Sequence, residues 1–303
     1  MIGVIKSQLS LKIALPLAAL MIVFTSLVAT YVTYSQVTTM EDMTLAKARM
    51  AANLGASTYG SVLEQSIDSG AITVNDVFDR EYVEIKGYNW GDNPKYHTQY
   101  DSVTDQAVLL FQDEFVKDED FVFALGVDVN GYGPTHNSKY QQPLTGDPAK
   151  DNIGNRTKRI FKDPVGITAA KNTEPGLQQV YKRDTGVTMW DVSSPIYVKG
   201  KHWGAFRLGV SIEKINARKT TLLITLIGLF AFFALVVTGS IFGMIKSAMR
   251  PVEELTKAAD MISMGEALET PIKPKTTDEI GKLTKSIDRL RSSMKAAMSR
   301  LGE

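Results

Sequence analysis

Three arginines in the middle of the chain have the chemistry to bind a carboxylate. Arg156, Arg159 and Arg207 each carry a planar guanidinium group, which can donate two parallel hydrogen bonds to the two oxygens of a carboxylate. Sites for small solutes are otherwise lined mostly by aromatic and apolar side chains. The residues predicted to line such a site are Tyr132, His136, Tyr140, Trp190 and Trp203. The sequence therefore predicts a ligand-binding site, without catalytic or metal-ligating residues.

The aromatic candidates and His136 also have structural explanations that need no ligand. Trp190 and Trp203 lie on predicted strands, where large aromatic side chains commonly fill the core of a sheet. His136 precedes Asn137 and can instead support a turn. The sequence leaves both explanations open for these residues.

The charged candidates have alternative partners as well. Arg156 and Arg159 lie three residues apart on a short helix predicted over residues 156–161, so they can face solvent or form local ion pairs. The acidic residues available for such pairs are Asp147, Asp151 and Asp163. Asp191 is predicted inside a half-buried strand, where a carboxylate needs a partner. That partner is either a cation of the protein or an amine of the ligand.

Five predicted strands position these residues. The apolar stretch Phe121–Asp128 ends at the turn dipeptide Asn130-Gly131. The predicted strands cover residues 121–128, 132–137, 177–183, 187–198 and 202–212. A helix is predicted to precede them and to end at Ser69-Gly70. This order predicts an α+β domain over residues 35–217, in which a long N-terminal helix and loops cover one antiparallel five-stranded sheet.

Two long uncharged stretches flank this domain. Residues 13–40 and 220–245 contain no charged side chain, and roughly 20 apolar residues in a helix suffice to cross a bilayer. We predict transmembrane helices at residues 13–34 and 220–245, after an N-terminal segment of residues 1–12. The first stretch exceeds the 7 to 15 residues typical of the apolar part of a signal peptide. Charges flank both sides of the membrane almost equally, so they do not decide the orientation.

Composition narrows the classes of function. With 34 Lys and Arg against 33 Asp and Glu, the net charge of +1 gives no reason to expect nucleic acid as a partner. The absence of Cys excludes disulfides, thiolate zinc sites, thiol catalysis and covalent c-type haem. We predict no cofactor, although haem held without covalent bonds by His136 or His97 remains an alternative. No catalytic motif stands out, so no enzyme activity is predicted.

The C-terminal part carries a heptad pattern in two helices. Val252, Leu255, Ala259 and Ile262 recur at spacings of three and four, as do Ile280, Leu283, Ile287 and Leu290. The connector over residues 266–278 is longer than the 2 to 5 residues of an antiparallel helical hairpin. The two helices are therefore predicted to run parallel. Since one apolar seam on each helix stays open in a single chain, the pattern predicts a homodimer.

Residues 249–301 resemble a HAMP relay domain. The resemblance rests on Pro251 just after the second span, Glu254, the Pro-containing connector and Asp278-Glu279-Ile280-Gly281. An ordinary juxtamembrane coiled coil is the alternative. The resemblance implies a role in signal relay for Pro251, Glu254, Leu255, Ile262, Asp278, Glu279, Ile280, Gly281, Leu283, Ile287 and Leu290.

Residues 35–217 resemble the single Cache, or extracytoplasmic PAS-like, sensor domains of bacterial chemoreceptors. The resemblance rests on the segments 123–132, 134–137, 184–186 and 200–207 among others. It implies that a small molecule, often an organic acid, amino acid or amine, binds between the sheet and its covering loops. As a whole, the chain resembles the N-terminal half of a methyl-accepting chemotaxis protein without its signalling domain.

These expectations combine into a receptor of the bacterial inner membrane. Its sensor domain is expected in the periplasm, and both termini in the cytoplasm. A small-molecule ligand would act through the second span and the HAMP relay on a cytoplasmic signalling partner, in chemotaxis-type signal transduction. The alternative is a truncated receptor, or a membrane-anchored regulator of a separate histidine kinase or cyclic-di-GMP enzyme.

Overall fold

The computed structural model describes residues 9–301. The chain divides into two compact units, residues 34–223 and residues 9–33 with 224–301. The helices are α1 Leu9–Asp68, α2 Val74–Val77, α3 Asp101–Ala107, α4 Leu109–Phe115, α5 Pro148–Gly154, α6 Pro164–Lys171, α7 Ile212–Ser263 and α8 Glu279–Leu301. The strands are β1 Val83–Glu84, β2 Tyr96–His97, β3 Phe121–Asp128, β4 Tyr132–Gly133, β5 Arg159–Ile160, β6 Leu177–Lys182, β7 Thr188–Val198 and β8 Lys201–Ser211. A 3-10 helix covers Ser138–Tyr140.

The main sheet is antiparallel and has four strands in the order β3-β8-β7-β6. The prediction of a fifth strand over residues 132–137 was wrong. Tyr132 and Gly133 pair with β5 in a separate small sheet, and a single bridge from His136 to Leu125 links the stretch to β3. Pro134 lies in the middle of this stretch. Because proline cannot donate to a strand ladder, the pairing stops there.

One face of the main sheet, the helix face, is covered by α1. Its small buried residues Ala48, Ala52 and Ala56 belong to the same core cluster as Phe206 of β8. Gly126 of β3 allows the close approach, because a Cβ atom there would collide with the ring of Tyr59. Burial of this continuous apolar surface is the main stabilising contribution to unit 34–223.

The opposite face of the sheet, the loop face, is covered by the chain between β4 and β6. Helix α5 in this segment begins at Asp147, whose carboxylate accepts a hydrogen bond from the backbone N–H of Ala149 at 3.0 Å. The helix predicted over residues 156–161 was wrong, since the helix ends at Gly154 and Arg159 lies in β5. Arg156 therefore lies in irregular chain, where its backbone N–H donates to the carbonyl of Tyr140, and only Arg159 lies in a strand.

Strand β8 passes directly into helix α7, since the strand ends at Ser211 and the helix begins at Ile212. Arg218 of α7 and Lys47 of α1 both form ion pairs with buried Asp120, with Arg218 Nη1 2.6 Å from Asp120 Oδ1. Burial acts to raise the pKa of Asp120, but hydrogen bonds from the two cations outweigh it and hold that pKa below its usual value. The start of α7 is thus fastened to α1 and to the start of β3.

Helices α1 and α7 each contain a stretch long and apolar enough to cross a membrane. The side chains of these stretches are largely exposed in the structure, as with Phe24 at 61% and Phe232 at 68%. A water-soluble protein would bury such side chains in its core, whereas the hydrocarbon of a bilayer can solvate them.

The segment after the second apolar stretch forms two helical pieces that run in the same direction. Lys275 Nζ in the connector lies 3.2 Å from Glu254 Oε2. At the other end, a Cβ atom on Gly265 would contact Met298. The connector therefore returns along the last part of α7 before α8 begins, as its length predicted.

Two polar contacts fix the connector. Asp278 accepts hydrogen bonds from the backbone N–H groups of Ile280 and Gly281 at 3.0 and 3.1 Å, which caps α8. The buried guanidinium of Arg291 donates to the carbonyl of Leu268 and pairs with Asp288 at 2.8 Å. The second contact explains how the arginine comes to be buried, because its guanidinium has both an acceptor and a counterion.

Candidate functional site

A small buried space on the loop face, the chamber, contains two of the predicted charged candidates, Arg156 and Arg207. It has a free volume of about 10 Å³. Its polar walls are His136, Arg156, Arg183 and Arg207, whose side chains are almost fully buried. Three guanidinium groups around one buried space are unusual, because burying a charge without a partner is costly.

Arg207 has a carboxylate partner within the sheet. Its Nη2 and Nε atoms lie 2.6 and 2.9 Å from Oδ2 of Asp191. Burial acts to lower the pKa of Arg207, but the carboxylate of Asp191 outweighs it and raises that pKa. Asp191 was predicted to need a cation or a ligand amine, and the cation of Arg207 fills that role. The second oxygen of Asp191 has no hydrogen-bond donor within residues 9–301.

Arg156 and Arg159 share a different carboxylate, that of Asp184. Arg156 Nη1 lies 3.0 Å from Oδ1 and Arg159 Nη2 lies 2.7 Å from Oδ2. Burial acts to raise the pKa of Asp184, yet the two arginines lower it to about 2. The predicted local partners are occupied elsewhere: Asp147 and Asp163 cap helices, and Asp151 binds Tyr88.

Arg183 has no carboxylate partner within the described part of the chain. Its side chain is 7% exposed, and its Nη1 atom donates a hydrogen bond to the Tyr140 hydroxyl at 2.8 Å. The guanidinium also lies 4.7 Å from the centre of the Tyr140 ring, a favourable cation–π distance. Its Nε–H group is buried without an acceptor among residues 9–301. Arg183 therefore brings an unbalanced positive charge into the interior.

His136 lies beside these arginines and is 1% exposed. Burial lowers its pKa well below the usual value, and the charges of Arg156 and Arg183 lower it further. The imidazole is therefore neutral at physiological pH. Its Nδ1 atom has no hydrogen-bond partner in the region from residue 9 to residue 301.

Aromatic rings form the apolar walls of the chamber. The rings of Phe123 and Phe161 are buried, and the guanidinium of Arg207 lies 6.0 and 5.9 Å from their centres. The ring of Tyr181 lies 5.5 Å from the same guanidinium. Cation–π contacts of this kind partly compensate for lost hydration.

An open cleft of about 230 Å³ lies outside the chamber. Phe161 and Tyr181 line both spaces, while Arg159 and Asp184 line the cleft. These four side chains therefore separate the chamber from solvent and mark its entrance.

Three predicted wall residues lie elsewhere. Trp203 is buried on the helix face, where its indole N–H donates to the carbonyl of Val77 at 2.8 Å. Tyr132 belongs to the same core and donates its hydroxyl to Asp101. Trp190 packs against this core as well. The structural explanation thus applies to these aromatic residues, whereas His136 lines the chamber and Tyr140 packs beside it against His136 and Arg183.

Sequence reasoning missed Arg183 and Asp184. Both follow β6 and precede Gly186, whose φ of 85° suits a tight turn. Their partners Tyr140 and Arg156 lie 43 and 28 residues away. The available signal was an Arg-Asp pair at the end of a strand, which the sequence did not distinguish from a solvated turn.

The described residues offer no evident metal site. No three His, Asp or Glu side chains between residues 9 and 301 converge as metal ligands do. The absence of a cofactor stays a prediction. His97, the alternative haem ligand, is largely exposed and lies 3.6 Å from Asp101.

The predicted relay residues differ in burial. The buried group comprises Leu255, Ile262 and Gly281, the half-buried group Pro251, Ile280 and Ile287, and the exposed group Glu254, Asp278, Glu279, Leu283 and Leu290. Leu255 and Ile262 are 6% and 2% exposed, whereas Leu283 and Leu290 are 44% and 56% exposed. Beside the first group lies a largely apolar groove of about 460 Å³ that also involves Ile272 and the connector. A single chain therefore leaves an apolar stripe open on α8.

Several solved structures of sensory and ligand-binding proteins match this chain at low identity. The sensory domain of the Campylobacter jejuni chemoreceptor Tlp3 with isoleucine bound is 13% identical, and the match covers 62% of this chain and 65% of that one with a TM-score of 0.31. An extracellular ligand binding receptor from Desulfohalobium retbaense is 10% identical over 59% of this chain and 27% of its own, with a TM-score of 0.29. A domain of a sensory box/GGDEF family protein from Vibrio parahaemolyticus is 11% identical over 69% of this chain and 64% of its own, with a TM-score of 0.29.

This chain thus spans less than two thirds of each of these structures. At such TM-scores the functional argument rests on the contacts of this chain alone. No curated protein matches the chain in sequence. The HAMP domain profile matches residues 243–296, so the resemblance predicted for residues 249–301 is confirmed over that range.

Proposed function

We propose that this chain is a two-pass receptor of the bacterial inner membrane that detects a small anionic solute in the periplasm. The solute binds on the loop face, and the event passes through α7 to the HAMP segment and on to a cytoplasmic signalling partner in chemotaxis-type signalling. The proposed site comprises His136, Tyr140, Arg156, Arg159, Arg183 and Arg207, with Asp184 and Asp191 as internal counterions.

The observation that carries this proposal is the direct passage from β8 into α7. Arg207 lies in the strand, and Ser211 at the end of that strand adjoins the first residue of the helix. No loop is present to absorb a movement of the strand. The helix then contains an apolar stretch and enters the HAMP match, which begins at residue 243.

Binding can change the output only if the ligand has different affinities for two conformations. An anion in the chamber would neutralise guanidinium charge and reposition Arg207 relative to Asp191. Since β8 and α7 are continuous, the helix would shift by about 1 to 2 Å, as helices at signalling interfaces do. The ion pair between Arg218 and Asp120 lies at the junction and opposes this shift in the unliganded state.

We propose that two copies of the chain form the working receptor. The exposed Leu283 and Leu290 lie seven residues apart on α8, at equivalent heptad positions. A parallel pair of HAMP segments would bury both stripes in a four-helix bundle. The bundle would then supply the two packing arrangements that a relay needs.

A kinase chimera tests this proposal. The full chain would be fused to a histidine kinase core and placed in nanodiscs, and autophosphorylation would be measured against a panel of organic and inorganic anions. Solute binding would be measured in parallel from the rise in Tm, since a ligand at about 100 times its Kd adds about 2.7 kcal/mol of stability. We expect at least one anion to raise Tm and to change kinase activity. Binding without any change in kinase activity would overturn the proposed relay through α7. The absence of any binding would overturn the proposed sensor function.

A further inference from the structure

We propose that the chamber is built for a compact monoanion, such as formate, nitrate or a halide, held chiefly by Arg183 with Arg156 and His136. This inference rests on the proposed sensory function and specifies the chemical class of its ligand. Three observations carry it: the charge balance of the chamber, its unpartnered polar atoms and its size.

The charge balance favours one added negative charge. Three arginines line the chamber, Arg156, Arg183 and Arg207. Asp184 pairs with Arg156 and Asp191 pairs with Arg207, while Arg159, the second partner of Asp184, lines the outer cleft. Arg183 has no acidic partner in the part of the chain that the structure describes. A buried guanidinium keeps its proton, so its charge must be balanced by a counterion rather than removed. A monoanion beside Arg183 supplies that balance.

The unpartnered atoms provide donors for such an anion. The Nε–H groups of Arg156 and Arg183 have no acceptor within residues 9–301, and Nδ1 of His136 has no partner there. All three side chains line the chamber. Neutral imidazole can present N–H at Nδ1 and so adds a third donor. Leaving buried donors unsatisfied is costly, and an anion would satisfy them together.

The charges around the chamber disfavour an amino acid. Its ammonium group would enter a space surrounded by Arg156, Arg183 and Arg207, where like charges repel it. The free oxygen of Asp191 belongs to a carboxylate that Arg207 already balances. A ligand with a net negative charge avoids both problems.

The size of the chamber excludes most organic acids. Its free volume of about 10 Å³ is near the minimum for one water-sized particle. The walls that would have to move are the buried rings of Phe123 and Phe161, which also hold Arg207 in place. Because close-packed interiors resist expansion, the chamber fits an ion of about the size of one water molecule, such as a halide, and formate or nitrate needs a small outward movement of these rings.

The test compares anions on the full chain in detergent, in a buffer free of chloride and carboxylates. Sodium formate, nitrate and chloride are titrated while Tm is recorded, with L-alanine and L-malate as larger probes. The variants are Arg183→Met, which removes the charge but keeps a buried apolar stem, Arg183→Lys, which keeps the charge, and Arg289→Met on the exposed face of α8 as the matched control.

We expect a saturable rise in Tm with at least one compact anion in the unmodified chain and in Arg289→Met. Arg183→Met should weaken this binding about ten- to hundredfold, because that factor corresponds to the loss of one hydrogen bond to a charged group. Arg183→Lys keeps the charge and should bind more tightly than Arg183→Met. Equal rises in Arg183→Met and the unmodified chain would be a general salt effect and would overturn the inference.

The larger probes separate this inference from the proposed function. A saturable response to L-malate or L-alanine alone, dependent on Arg183, would overturn the compact-anion class while the receptor proposal stands. If no anion or solute raises Tm in the folded full chain, both proposals fail.

Discussion

The two faces of the main sheet differ in how completely their buried charged groups are paired. On the helix face, buried Asp128 accepts hydrogen bonds from the hydroxyls of Tyr82 and Tyr100 and from two backbone N–H groups, and it pairs with Arg80. On the loop face, Arg183 has no acidic partner within the described residues, and one oxygen of Asp191 has no donor there. Fully paired buried charges support a rigid fold, whereas an unpaired buried charge requires an explanation, which the proposed anion supplies for Arg183.

The alternation of residues along β8 produces this difference. Phe206, Leu208 and Val210 belong to the core of the helix face, while Arg207 points to the loop face and its chamber. A single strand therefore connects the stable core, the candidate site and the start of α7. Four variants test this difference between the faces and the link to α7, and their expected effects on stability decrease from the first to the last.

The largest effect is expected for Trp203→Ala on the helix face. The variant removes a fully buried indole that lies 5.2 Å from the Tyr59 ring and binds the carbonyl of Val77. Truncation of a buried aromatic residue costs about 3 to 5 kcal/mol. Thermal unfolding of the full chain in detergent measures the loss, and Trp90→Ala, at a more exposed indole, is the control. Equal losses in the two variants would contradict the placement of the core.

The second largest effect is expected for Asp191→Ala on the loop face. The variant leaves buried Arg207 without its counterion, which costs about 3 kcal/mol or more. The double variant Asp191→Leu with Arg207→Met should recover most of that stability, because an apolar pair of similar volume can replace a buried ion pair. If the double variant is less stable than the single one, the charged pair itself supports the fold and is not retained for binding.

A smaller, pH-dependent effect is expected at Asp184. Its pKa of about 2 lies below the ordinary 3.8, so its contribution is complete above about pH 4 and is lost as the pH falls through about 2. Because the side chain is 33% exposed, we expect about 1 to 2 kcal/mol after screening. Unfolding measured from pH 2 to pH 7 should show a steeper acid loss in the unmodified chain than in Asp184→Asn. Parallel pH profiles would refute the ion pairs with Arg156 and Arg159.

The smallest effect on stability is expected for Leu290→Asp in the HAMP segment. Leu290 is 56% exposed in the single chain, so a carboxylate there costs the chain little but disrupts a dimeric seam. Solute binding should be unchanged and the output of the kinase chimera should be lost. Ala296→Asp, on an exposed position of the same helix away from the seam, should leave both unchanged. Normal signalling by the Leu290→Asp variant would show that the dimeric seam at Leu290 is not needed for the relay.

The sequence predicted the elements with clear periodicity and missed features that depend on distant contacts. Alternation located β8, and the long connector indicated that α8 runs in the same direction as the end of α7. The predicted fifth strand failed because Pro134 outweighed the turn signal of Asn130-Gly131 that precedes it.

Within the site, rare residue types at unusual places were informative. Asp191 in one strand and Arg207 in another were named as separate candidates, and the structure pairs them. Aromatic residues were poor guides, because Trp203 serves a core as well as it could serve a pocket. Arg183 could not be found, since its isolation from any acid follows from the packing of segments far apart in sequence.

The placement of the two ends of the apolar stretch of α7 tests the central claim most directly. Because the chain contains no Cys, the variants Ala217→Cys and Glu254→Cys each carry a single thiol. Intact cells would be treated with a membrane-impermeant maleimide before and after permeabilisation of the inner membrane. The account predicts that the thiol at position 217 reacts from outside the inner membrane and that the thiol at position 254 reacts only after permeabilisation. Reaction of both thiols from the same side would contradict a receptor that joins an external site to an internal relay.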